Sequence, residues 1–229
     1  MRPAIRRSAT LREQVVEAVM SELRQGTYKP GTRITEQSLA EMLQVSRTPI
    51  REALNQLLEQ GILHGRPRGG YVVPSPSAEQ IRHIIAVRML LEPAAVGMAA
   101  KEYGAEQIAR MDDAIEMEAA ATDSPNPAEF AAGNEQFRRA VFDGIANQAL
   151  WGIIAQFSSH LDLIRSTTLK DIALRQEIIG RQKAVRDAIH AREGDLAEAL
   201  WRSYLRRSEE TLVQALEEIA ESLTSDQDA

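Results

Sequence analysis

Apolar residues at Leu11, Val15, Val16, Val19, Met20 and Leu23 recur every three or four positions, which predicts a helix with one buried stripe. Thr10 and Glu13 have the spacing of a capping box at its start, and Gly26 is placed to stop it. A turn at Lys29-Pro30-Gly31 follows, and Thr35 is the expected N-cap of a short helix over 36–43. Two residues later Ser46 is positioned to cap a third helix, 47–60, through the Thr48 N–H. Pro49 falls in its first turn, where a missing N–H breaks no intrahelical bond. Ile50, Ala53, Leu54, Leu57 and Leu58 form its apolar stripe. After Gly61 the period changes. Residues 62–64 and 71–73 are short β-prone runs around Gly65-Arg66-Pro67-Arg68-Gly69-Gly70, the pattern of a small hairpin.

Pro74-Ser75-Pro76-Ser77 reads as a break, giving a first domain over 1–74, a linker over 75–78 and a second domain over 79–229. Ser77 and Gln80 form a further capping box. From there the helical period continues, with helices expected over 78–103, 105–122, 127–145, 147–168, 171–192 and 195–222. The fold class is therefore mainly α, a helix-turn-helix head with a hairpin followed by an antiparallel six-helix bundle.

The chain has 229 residues and no cysteine, which removes disulfides, thiolate metal sites and cysteine nucleophiles together. No uninterrupted apolar run approaches the roughly 20 residues of a bilayer span. The basic start lacks the apolar stretch of a secretory signal, so a cytoplasmic protein with no membrane partner is expected. The net charge of −6 by itself argues against a nucleic-acid partner. The charge is unevenly spread, however. Residues 1–74 hold 11 Lys and Arg against 7 acidic residues, and the remainder holds 16 against 26. A basic head on an acidic body leaves room for a polyanion-binding module.

The helix over 47–60 has a polar face opposite its apolar stripe, where Arg47, Arg51 and Asn55 fall at i, i+4 and i+8 beside Thr48. Arginine forks onto guanine O6 and N7, and asparagine pairs likewise with adenine N6 and N7. Ser46 and the amides at the helix start suit a phosphate. The stretch from Gly31 to Leu54, with Leu57, Gly61-Ile62-Leu63 and Gly70-Tyr71-Val72-Val73, closely resembles the winged helix-turn-helix of GntR-family transcription regulators. The resemblance implies DNA contacts from Ser46, Arg47, Thr48 and Arg51, and wing-tip contacts near Arg68 and Gly69. Such proteins are expected to read a pseudo-palindromic operator as homodimers.

In the bundle, polar residues interrupt apolar stripes: Arg88 in the first helix, Asn134 and Arg138 in the third, Gln182 in the fifth and Tyr204 in the sixth. Five such exceptions suggest a shared polar cavity that binds a ligand. His160 is placed to border it from the fourth helix. The motifs Ile84-x3-Arg88-x3-Glu92-Pro93, Phe137-x9-Asn147 and Ala184-Val185 through Asp195 resemble the FCD effector domain of FadR-like regulators, in its six-helix VanR-type branch. Many such domains hold a divalent metal. The matching positions here are Asn134, Arg138, Gln182 and Tyr204, none of which is His, Asp or Glu, so no metal or other cofactor is expected. No motif of an enzyme is present, neither a phosphate loop nor a nucleophile elbow. Two buried guanidinium groups, Arg88 and Arg138, need a counter-charge. With Glu92 available to only one of them, an anionic effector such as a carboxylate or sugar acid is expected. The competing expectation turns Arg138 outward or pairs it with Asp143, leaving a mostly apolar pocket for a neutral ligand.

Overall fold

The computed structural model describes residues 10–24, 27–28, 31–66, 69–74 and 77–225. The chain forms two compact units, Met1–Ser75 and Pro76–Ala229. The expected stop at Gly26, the Lys29-Pro30 part of the following turn, Ser75 and Pro76 of the linker, and Arg68 lie outside the described residues, as does the side chain of His160.

The first unit contains α1 (Leu11–Arg24), β1 (Arg33–Ile34), α2 (Glu36–Leu43), α3 (Arg47–Glu59), β2 (His64–Gly65) and β3 (Tyr71–Val72). Thr10 and Glu13 exchange backbone bonds as a capping box. Thr35 caps α2, with Ser38 as its reciprocal partner. Gln44, in the left-handed region at φ 54°, makes the tight turn into α3. The three apolar stripes meet: Val15, Val19, Leu23, Leu39, Ile50, Leu54 and Leu57 are all 3% exposed or less. Leu58, assigned to that stripe by its period, is 37% exposed instead and sits beside Gly65 of the hairpin. The hairpin strand β3 also pairs with β1, giving a three-stranded sheet in the order β1-β3-β2 with Ile34 and Gly65 both opposite Tyr71. A two-residue strand is too short to leave a period in the sequence, so β1 has no local signature.

The second unit contains α4 (Ala78–Glu102), α5 (Ala105–Ala120), α6 (Pro127–Phe142), α7 (Gln148–Thr168), α8 (Ile172–His190) and α9 (Gly194–Ser225). Ser77 and Gln80 cap α4 reciprocally, and Asn126 caps α6 with Pro127 following it. Helix α6 ends three residues before its apolar period does. The Tyr103 hydroxyl donates to Val141 O at 2.7 Å and accepts from Gly144 N at 3.2 Å, which holds the chain in a turn there.

Trp201 of α9 lies at the centre of the core, edge-on to Phe142 at 5.3 Å and tilted against Tyr204 at 5.2 Å. Helix α4 has the length and apolarity to cross a membrane, and half of that stretch is buried inside this unit. Pro93 deprives Met89 O of its helical donor, and Arg202 Nη1 from α9 supplies one at 3.1 Å. Arg175, not singled out by any sequence pattern, is buried and donates to four carbonyls, those of Leu169, Ala121, Thr122 and Ser124. It thereby ties the start of α8 to the carbonyl end of α5, where the helix dipole favours a cation.

Two helical glycines test how close the packing is. A Cβ on Gly133 would meet the Glu118 backbone N at 3.0 Å and its Cγ at 2.8 Å. A Cβ on Gly97 would meet mainly the Glu198 side chain, which is partly exposed and can swing away. Gly133→Ala is therefore expected to lose about 1–3 kcal/mol, while Gly97→Ala changes stability by less; chemical denaturation of the two variants checks the order.

Candidate functional site

The N-terminal turn of α3 is exposed, with Ser46, Arg47 and Thr48 all open to solvent. Ser46 occupies the N-cap position, but its side chain makes no capping bond, contrary to the expected contact with the Thr48 N–H. Its hydroxyl is thus left for a partner outside the helix. Arg51 is clamped by Glu36 of α2, Nε to Oε1 at 2.8 Å and Nη2 to Oε2 at 2.9 Å. That hydrogen-bonded pair, with Arg47 nearby, holds the Glu36 carboxyl below the usual carboxylate range. Asn55 is also engaged: its Oδ1 accepts the Tyr71 hydroxyl at 2.7 Å. The expected two-point pairing of Asn55 with adenine therefore loses its ready acceptor, and the side chain presents its NH2 as donor.

The wing turn closes with Arg66 N on Gly70 O at 3.1 Å and Gly69 N on Arg66 O at 3.0 Å. Gly69 and Gly70 both have positive φ, and nothing crowds the Gly69 Cα. A groove of about 400 Å³ opens between α2, α3 and the wing, with Arg33, Arg47 and Arg66 on its walls. Sequence reasoning missed Arg33, because only the pairing of β1 with β3 brings it to this surface.

In the helical unit the five polar exceptions divide between two clusters. The first is built on Glu92 of α4, which is fully buried. Arg88 reaches it from one turn away, Nε to Oε1 at 2.6 Å and Nη2 to Oε2 at 3.2 Å. Arg138 reaches the same carboxylate from α6 at 3.0 and 3.4 Å, and the Trp201 indole N–H from α9 donates to it at 2.8 Å. Burial pushes the Glu92 carboxyl up, but Arg138 and Arg88 outweigh it and hold it down at about 2. Burial likewise opposes the charge on Arg138, and Glu92 more than offsets this, so the guanidinium stays protonated. The premise that Glu92 serves only one arginine is corrected here: its carboxylate is shared by both, which weakens the case for an anionic effector between them. Asp143 does not take Arg138 either; it pairs with Arg110 and Arg139.

The second cluster centres on Glu118 of α5, also fully buried and not anticipated from the sequence. Asn134 Nδ2 and Gln182 Nε2 both donate to its Oε1, each at 3.0 Å, and Asn134 Nδ2 lies 3.4 Å from the Tyr204 hydroxyl. The signal that could have found Glu118 is its position on the buried stripe with Ile108, Met111 and Ile115. Asn134 and Tyr204 form the floor of a cleft between the end of α7, α8 and α9, with a free volume of about 30 Å³. At its rim Glu177 is shared by Arg181, at 2.9 Å, and Arg207, at 3.0 and 3.1 Å.

The set Asn134, Arg138, Gln182 and Tyr204 does not suit a transition metal. It offers no imidazole or carboxylate among the four, and it includes a permanently charged guanidinium, which repels a cation. No group of three or more His, Cys, Asp or Glu residues with metal-binding geometry occurs among the described residues.

The family profile of the FCD domain matches residues 83–207, and that of the bacterial regulatory proteins of the gntR family matches residues 11–73. The chain is a GntR-family transcription regulator with an FCD domain. This regulator is 22% identical over 206 residues to the HTH-type transcriptional repressor RspR of Escherichia coli, covering 90% of each chain. It is 26% identical over 194 residues to the HTH-type regulator YdhC of Bacillus subtilis, covering 84% of this chain and 87% of that one. Among solved structures it is similar to Escherichia coli McbR, with a TM-score of 0.82 and 24% identity over 90% of this chain and 99% of that one. A GntR regulator from Rhodococcus superposes with a TM-score of 0.76 at 21% identity, covering 89% and 98%.

Glu92 gives this GntR regulator an acid sensitivity. Its carboxyl is lowered from 4.5 to about 2 on folding, so its contribution to stability is complete above the unfolded value and disappears as pH falls between these limits. Glu92→Gln leaves two buried guanidinium groups uncompensated and is expected to cost about 3–5 kcal/mol at neutral pH. Tryptophan fluorescence on acid titration checks it: the variant loses the part of the pH dependence that lies in this window.

Proposed function

We propose that the regulator reads a two-fold operator as a homodimer, with Ser46, Arg47, Thr48 and Arg51 of each head contacting DNA and the wing tip around Arg66, Arg68 and Gly69 touching the backbone. The observation that carries this reading is the exposed, cationic start of α3, which faces away from the buried stripe and borders a groove walled by three arginines. Arg47 is directly available, whereas Arg51 leaves or shares Glu36 when it meets a base edge. Asn55, oriented by Tyr71, serves as a hydrogen-bond donor to a phosphate or a base acceptor. Arg51→Ala is expected to cost about 1–3 kcal/mol on the operator and less on random DNA. Equal losses on both, measured by fluorescence anisotropy, make Arg51 a phosphate contact instead.

The helical domain is proposed to sense a small molecule at the Asn134, Gln182 and Tyr204 cluster without a metal, acting as a repressor whose ligand shifts the balance between DNA-competent and incompetent forms. Its support is the pair of buried polar clusters inside an otherwise apolar bundle. Elemental analysis of protein purified without chelators is expected to show no stoichiometric zinc, nickel or manganese, and about one such ion per chain overturns the metal-free reading. A second reading, an effector-independent DNA-binding protein, is favoured by the small free volume of the cleft, about 30 Å³. The low-molecular-mass filtrate of a cell extract separates the two. Under the sensing reading it changes operator affinity, and under the other it leaves affinity unaltered.

A further inference from the structure

The Glu118 cluster has acceptors to spare. Asn134 and Gln182 both turn their amide NH2 groups to Glu118 Oε1. This fixes the orientation of both amides, because flipping either would set a carbonyl oxygen against a carboxylate. Asn134 Oδ1 and Gln182 Oε1 are consequently buried with no hydrogen-bond partner among the described residues, on side chains only 1% and 0% exposed. Buried acceptors are normally satisfied, so two of them, on amides that share one carboxylate oxygen, mark a place where donors are missing. Asn134 also lines the cleft below α8 and α9, whose free volume is about 30 Å³. Room of this order admits a small polar head. The walls above it, Leu174, Ile178 and Leu212, are apolar and suit a carbon chain.

We infer that the effector of this domain carries a hydrogen-bond-donating head, a hydroxyl or a primary ammonium, which binds Asn134 Oδ1 and Gln182 Oε1. A carboxylate head in the same place would face two carbonyl oxygens and the Glu118 carboxylate, and would bring no donor to any of them. This assignment rests on the sensing reading above and replaces the anionic effector expected from Arg88 and Arg138, which Glu92 already occupies.

Isothermal titration of the full chain with ethanolamine, xylitol and succinate tests it. Ethanolamine or xylitol is expected to bind, and succinate is not. Binding of ethanolamine alone identifies the head as an ammonium, and binding of xylitol alone identifies it as a hydroxyl. Folded Asn134→Leu and Gln182→Leu variants, checked by circular dichroism, are expected to bind the same probe at least about ten-fold more weakly. Unchanged affinity in both variants overturns the proposal. So does binding of succinate without either donor probe, an outcome that leaves the sensing reading intact. Absence of binding by all three probes also overturns the donor head, while the filtrate assay on operator affinity decides sensing independently. The wild-type comparison stands even where a leucine variant does not fold.

Discussion

A carboxylate buried without solvent is tolerated only if nearly all its lone pairs are used by donors, and Glu92 meets that condition by drawing on three helices. Arg88 comes from its own helix, Arg138 from α6 and the Trp201 indole from α9. Two cations share one anion, so removing Glu92 leaves both guanidinium groups stranded in the core. The arrangement fixes the rotation of α4, α6 and α9 about their axes, because the donors reach Glu92 from one set of faces only. Arg138 adds to this by lying over the Phe142 ring at 5.5 Å, close to Trp201. The aromatic core and the ion cluster are thus built on the same residues.

Elsewhere in the bundle, arginines mend backbone defects. Arg202 supplies the donor that Pro93 takes away from Met89, and Arg175 gathers the carbonyls at the end of α5 and in the turn before α8. These contacts rigidify the frame around the Glu118 cluster, where the amides of Asn134 and Gln182 are left with acceptors exposed to the interior. A rigid frame around an unsatisfied polar site is the arrangement expected of a binding site, since the groups are held ready and the cost of ordering them has been met in folding. The Glu177 bridge to Arg181 and Arg207 closes the rim of the adjoining cleft, and being partly exposed it is the weaker of the two ionic assemblies.

In the head, the polar side chains of α3 are not free rotors. Glu36 holds Arg51 and Tyr71 holds Asn55, so α2 and the wing both set the direction of groups carried by α3. The wing therefore bears directly on α3, through the aim that Tyr71 gives to Asn55.

Much of this protein was legible in its sequence, because the relevant signals are local. Capping boxes at Thr10 and Ser77, the N-cap at Thr35, the stripes of α1 and α3 and the glycine-rich hairpin depend on residues within one or two turns of each other, so spacing alone specifies them. The five polar positions on the bundle stripes also stood out, since each violates the period of its own helix. Their partners did not. Glu118 lies sixteen residues before Asn134 and sixty-four before Gln182, and Glu92 meets Trp201 across 109 positions. Periodicity carries no information about which helix faces which, so the sequence left Arg138 without its carboxylate and called for an anion from outside. The two-residue strand β1, the role of Arg33 and the staple made by Arg175 were hidden for the same reason. The sequence determined the helices and most of their buried stripes, because those signals are local; packing between distant helices decided which charges met, and with them what chemistry the interior has left to offer a ligand.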